Sequence, residues 1–142
     1  MSVEENKAVV RRYIEGVINK KNLAVVDELY DANYVGHLAG MEDIHGPEGL
    51  KQAVATFFTA FPDLHCTVED MVGEGDKVVC RFTGRGTHQG EFQGVAPTGK
   101  QATLTGIVIS RIVSGKIVEE WEVIDMLGMM QQLGAIPTPG QG

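Results

Sequence analysis

The sequence has little of what staples, anchors or charges a protein for a special task. Its 142 residues include only two cysteines, Cys66 and Cys80, too few for the disulfide framework on which small secreted domains rely. Both lie in apolar, strand-like stretches. A hairpin turning at Glu74-Gly75-Asp76 sets Cys66 opposite about residue 84, so the two sulfurs do not face one another. They read as buried small hydrophobes in a reducing compartment. Positive charge is scarce as well: 12 Lys and Arg against 19 Asp and Glu leave a net charge of -7. That balance excludes the positive face a sequence-independent grip on nucleic acid requires. The dense basic pairs, Arg11-Arg12 and Lys20-Lys21, share a helical stretch with Glu4, Glu5 and Glu15. No run approaches the ~20 apolar residues that cross a bilayer, and Met1 to Asn6 is polar, without the apolar core of a leader. No membrane partner is expected, and the cytoplasm is the expected location.

What is present is an ordinary globular balance, 43% hydrophobic and 22% charged, so wholesale disorder is excluded. The length suits one domain, 1–142, with no internal repeat or linker and a flexible tail over 135–142. Ser2 followed by Glu5 is a capping box. Val10, Tyr13, Ile14, Val17 and Ile18 then form an apolar stripe on a helix reaching Asn19. Asn22 caps a second, short helix through Tyr30. Tyr34 to His37 is briefly extended. Gly46-Pro47 opens a third helix that carries Leu50, Val54, Phe57 and Phe61 and is stopped by Pro62.

After Pro62 the apolar period falls to about two. Strands are expected over His65–Val72, Lys77–Arg85, Gln101–Val113 and Lys116–Asp125, and a last short helix over Leu127–Leu133 stopped by Gly134. Helices first and strands after give an α+β domain, with the helices on one face of a mainly antiparallel sheet. A strongly curved sheet of this kind encloses a pocket for a small apolar ligand.

Candidate chemistry gathers on the last strand. Ile117, Glu119, Trp121, Val123 and Asp125 alternate onto one face, and Val118, Glu120, Glu122 and Ile124 onto the other. The face with tryptophan is taken as the pocket face. Asp125 beside apolar walls then becomes a base with a raised pKa; alternatively it caps the final helix. Arg81 either orients a substrate oxygen from inside the pocket or faces solvent. His37 and His88 are candidate proton shuttles or donors to an oxyanion, and Phe61, Tyr13 and Ile109 complete the substrate-binding candidates. Metal is not expected, because no two histidines have ligand spacing. No G-x-S-x-G elbow and no dinucleotide fingerprint occurs.

Several short motifs follow one another along the chain. They are Phe61-Pro62-Asp63-Leu64-His65, Gly75-Asp76-Lys77-Val78, Gly86-Thr87-His88-Gln89-Gly90, Pro97-Thr98-Gly99-Lys100 and Gly115-Lys116-Ile117-Val118-Glu119. The ending joins Trp121 to Asp125, Gly128 and Gln131-Gln132-Leu133-Gly134. In this order and spacing the sequence resembles the SnoaL-like polyketide (ester) cyclases. The resemblance implies the NTF2-like cone and a homodimer. It also implies intramolecular aldol ring closure on a small hydrophobic carbonyl compound, with no metal and no organic cofactor. It makes Asp125 the general acid/base, with His37 and His88 in the pocket and Arg81 and Trp121 beside the substrate. Relatives with hydroxylase or epoxide-hydrolase chemistry share the cone, as do proteins that bind a hydrophobic ligand without catalysis. The epoxide-hydrolase pattern needs a second pocket aspartate besides Asp125 and Arg81, and none stands out.

Overall fold

The computed structural model describes residues 2–137 and Gly140; the rest of the tail expected over 135–142 lies outside the described residues. The capping box forms as expected at the head of α1 (Val3–Arg12). Ser2 Oγ accepts from Glu5 N at 3.1 Å, and Glu5 Oε1 accepts from Ser2 N at 3.1 Å. Beyond Arg12 the helix loosens into wider, π-type turns over Tyr13–Asn19, a geometry that often accompanies functional sites. Asn19 ends this stretch and acts as a false strand partner. Its carboxamide donates to Cys66 O at 3.0 Å and accepts from Cys66 N at 2.8 Å.

Asn22 accepts from Ala24 N at 3.2 Å and opens a 3-10 turn, Leu23–Val25, that runs into α2 (Val26–Leu29). The extended segment foreseen at Tyr34–His37 is longer than its pattern suggests. It is the full strand β1 (Tyr30–Leu38), followed by the short β2 (Ile44–His45). The third helix, α3 (Gly46–Ala60), carries Pro47 in its first turn.

The rest is a meander of long strands: β3 (His65–Glu74), β4 (Lys77–Thr87), β5 (Gln101–Val113) and β6 (Lys116–Ile124). The sheet order is β2-β1-β6-β5-β4-β3. Every neighbouring pair is antiparallel except β1 with β6, which is parallel. The sheet is therefore open and mixed, not closed into a barrel. Cys66 pairs with Gly84, as the hairpin count anticipates, and both cysteines are free and buried. α1 packs on β3 and β4, while α3 packs on β1 and β2. Between the two helices the inner face of the sheet is only partly covered, and a cavity remains. A separate apolar cluster of Phe61, Phe92, Met129 and Leu133 fastens the connection from β4 to β5 and the last helix, α4 (Met126–Gln132).

Candidate active site

A β-bulge in β6 decides what the cavity contains. Arg111 on β5 pairs with Glu119, yet its neighbour Ile112 pairs with Ile117, so β6 holds one extra residue, Val118. After the bulge strict alternation resumes. Glu119, Trp121 and Val123 turn to the outer face; Glu120, Glu122 and Ile124 turn inward and join Ile117 in the cavity wall. The sequence expectation placed the pocket on the Trp121 side. The structure places it on the other face and brings in two carboxyls, Glu120 and Glu122, that sequence reasoning did not single out.

The cavity holds about 140 Å³ and is mostly apolar, with walls from Ile14, Leu50, Val54, Phe82 and Val108 among others. The lining residues that stay partly exposed, including Leu38, Ile44, Phe57, Leu104 and Ile124, mark where it opens. Polar groups are few: Tyr13, Tyr34, Glu120, Glu122 and, at the rim, His37.

Glu120 is buried and surrounded by hydroxyls. Tyr34 Oη donates to Oε1 at 2.9 Å, Tyr30 Oη approaches the same oxygen at 3.4 Å, and Ser110 Oγ donates to Oε2. Burial raises its pKa, and the three hydroxyls pull in the opposite direction. Glu122 has no such support. Among the described residues none hydrogen-bonds its carboxyl, and apolar surroundings together with the charge of Glu120 push its pKa up to about 8. Tyr13, Tyr30 and Tyr34 are held well above the ordinary phenol value by burial and by the neighbouring glutamates. They stay neutral. The Cys66 thiol, also in the wall, is pushed up to about 12 by burial and is no nucleophile.

The other candidates fall in four places. Tyr13 lines the cavity, as expected. His37 contributes to the rim, but its ring serves the outer face. Nε2 lies 2.7 Å from Glu119 Oε2, Nδ1 lies 3.1 Å from Asp43 Oδ1, and the ring stacks on Trp121. Trp121, Ile109 and Arg81 all sit on that outer face. Ile109 pairs with Trp121 across the strands, and Arg81 Nε donates to Asp70 at 2.8 Å. Asp125 is exposed and caps α4, accepting from Gly128 N at 2.9 Å, which is the capping alternative raised above.

His88 and Phe61 belong to the second apolar cluster. His88 is fully buried beside Phe61, and its Nδ1 accepts from Thr98 N at 3.2 Å, holding the β4–β5 connection. Phe61 borders a small void next to the main cavity. Of the residues singled out, then, Tyr13 and the rim residue His37 meet at the cavity. The signal that could have found the carboxyls is the run Glu119-Glu120-Trp121-Glu122: whichever face is buried, at least one glutamate goes in.

Helices over one face of an open, mixed sheet, with an apolar cavity between them, make this an α+β fold of the NTF2-like class. The chain belongs to the SnoaL-like polyketide cyclase family, whose model matches residues 7–133. It is 31% identical over 135 residues to the aklanonic acid methyl ester cyclase DnrD of Streptomyces peucetius, covering 92% of each chain. Its fold is similar to that of AclR, a proposed hydroxylase of Streptomyces galilaeus, at a TM-score of 0.87 and 31% identity over 96% of this chain and 85% of that one. IdmH, a proposed polyketide cyclase of Streptomyces antibioticus, superposes with a TM-score of 0.80 at 34% identity, over 91% of this chain and 98% of the other.

Proposed function

We propose that this protein closes a ring in a small, hydrophobic, carbonyl-bearing molecule by intramolecular aldol condensation, with Glu122 as the general acid/base. The observation that carries the reading is a carboxyl with no hydrogen-bond partner among the described residues, in the wall of an apolar cavity. Such a group is a strong base once ionised. The Glu122 carboxylate takes a proton from carbon alpha to one carbonyl. The resulting enolate carbon attacks a second carbonyl carbon of the same molecule, the new C–C bond forms, and the displaced π pair leaves an alkoxide. The Glu122 carboxylic acid returns its proton to that oxygen. No proton is gained or lost overall, and the cycle requires neither a metal nor an organic cofactor. Positioned proton transfer of this kind accelerates a reaction by about 10²–10⁴.

The cavity, about 140 Å³, is close to the ~150 Å³ that admits benzene. It holds the reacting ring, and the remainder of a polycyclic substrate extends through the opening. Asp125 and Arg81, which an epoxide-hydrolase-like set would need, both lie outside it; the aldol reading moves the acid/base role from Asp125 to Glu122, which does line it. The protein works in the cytoplasm as a homodimer in this reading, supported by two free cysteines and by the apolar outer face of the sheet.

The test is turnover of aklanonic acid methyl ester, the compound in the name of DnrD. Glu122→Gln should lose at least about 100-fold in kcat. Asp125→Asn should keep wild-type kcat and the α4 cap, since Asn caps a helix about as well as Asp. Wild-type turnover by Glu122→Gln would sink the assignment. Binding without turnover by the wild type would turn the reading toward a carrier.

A further inference from the structure

The three hydroxyls on Glu120 are not equivalent: Tyr34 lines the cavity, and neither Tyr30 nor Ser110 does. The place of the Tyr34 hydroxyl is fixed by a missing side chain. Tyr34 and Gly36 both face inward from β1, and the phenol ring lies over Gly36. A Cβ at residue 36 would stand 2.5 Å from Tyr34 Oη and 3.1 Å from Cζ. No other residue type leaves that hydroxyl room. Tyr30 holds the ring edge-on from behind, with centroids 4.8 Å apart at 81°.

The direction of the hydrogen bond follows from the chemistry of the set. Three hydroxyls converge on the two oxygens of one carboxyl, which is the acceptor of the set, and a phenol has one proton. With that proton committed to Glu120 Oε1 at 2.9 Å, Tyr34 offers the cavity a lone pair. Donating to the carboxyl polarises the phenol and makes its oxygen a better acceptor in turn. A carbonyl oxygen brought there meets lone pair against lone pair. A hydroxyl completes the chain from substrate O–H to Tyr34 Oη to Glu120.

We propose that Tyr34 is a specificity-determining residue that accepts a hydrogen bond from a hydroxyl on the substrate ring, and that Glu120 is the positioning residue that fixes and polarises it. The substrate class narrows to ring compounds that carry a phenol or enol hydroxyl in addition to the reacting carbonyls. This inference rests on the cyclase reading for the identity of the site, yet it concerns binding and is tested without turnover. Positioning by Glu120 also explains why a buried carboxyl is kept where an apolar residue would fill the wall more cheaply.

The test compares binding of 3′-hydroxyacetophenone, 3′-methoxyacetophenone and acetophenone by calorimetry at pH 7. Each is a single ring, in keeping with the size of the cavity. The wild type should prefer the hydroxy compound over the methoxy compound by about tenfold, the worth of one good hydrogen bond. In Tyr34→Phe the preference should fall below about twofold while acetophenone binds as before. Glu120→Gln puts an amide in place of the carboxyl behind the phenol and should cut the preference at least about threefold. Each variant is first checked for a wild-type unfolding transition, and Glu120→Gln stands in if Tyr34→Phe does not fold. Equal affinities in the wild type, no binding of any probe, or a preference that survives both substitutions would overturn the proposal. Failure of the cyclase reading would show separately, as undiminished turnover in Glu122→Gln beside an intact hydroxyl preference.

Discussion

In the proposed reaction a single carboxyl, Glu122, carries most of the chemistry, and the desolvation that raises its pKa also makes it costly. Its pKa rises from an ordinary 4.5 to about 8, so folding favours the protonated form. The folded state then binds more protons than the unfolded one across that interval, and stability falls as pH climbs through it. Below the ordinary value the penalty is absent; above about 8 it is complete. Glu122→Gln removes a charge that never wanted to be buried. The variant should match the wild type in denaturant unfolding near pH 4.5 and exceed it by roughly 1–3 kcal/mol at pH 8.5. Parallel stability curves across that range would show that Glu122 is not desolvated. Stability and activity are thereby opposed at one position, as expected of a site that retains a strained group for function.

At the scale of the elements, β6 shows where sequence reading succeeds and where it stops. The capping box at Ser2 and Glu5, the Pro47 opening of α3, the Cys66–Gly84 register and the strand meander are all legible, because each depends on local propensity or on counting. The occupied face of β6 is not. One extra residue, Val118, reverses the phase between Ile117 and the rest of the strand, and nothing in Ile117-Val118-Glu119 announces a bulge. Burial rules then mislead as well: they send tryptophan inward and glutamate outward, and this site does the opposite.

The outer face gives β6 a second element to hold. His37 stands between Glu119 and Asp43, and those two carboxylates raise its pKa, the bond to Glu119 contributing most. Asp43 lies in the connection from β1 to β2, whose flanks Leu38 and Ile44 line the cavity. Protonated His37 therefore ties this connection to β6. Because the folded value is the higher one, the tie is complete below the ordinary histidine range of about 6.5 and fades as pH rises through the raised value. Hydrogen exchange at residues 39–43, corrected for intrinsic rate, should quicken between pH 6 and pH 9, and His37→Gln should remove that dependence. Equal protection at both pH values in the wild type would dismiss the tie.

Taken as a whole molecule, the sheet has two working faces that share the same strands. Inward, β6 presents Glu120 and Glu122; outward, the same strand presents Trp121 at 37% exposure and Val123 at 62%, beside Ile107 at 47%. Ile107 pairs with Val123 and Ile109 with Trp121, so these side chains form one contiguous apolar patch. Beside the patch Arg81 pairs with Asp70 and Arg111 with Glu119. In the proposed homodimer a chain of net charge -7 would meet its copy through this apolar patch. A two-fold contact puts the same patch on both partners, and a stable one buries about 1,600 Å² in total. Sedimentation at micromolar concentration should show a dimer, and Val123→Asp should show a monomer, since a buried unpaired charge at the centre of such a contact is not tolerated. The monomeric variant should still bind 3′-hydroxyacetophenone, because residue 123 points away from the cavity. A wild type that sediments as a monomer would remove the dimer. A Val123→Asp monomer that loses the probe would instead mean that the contact on the outer face keeps β6, and with it both cavity carboxyls, in register.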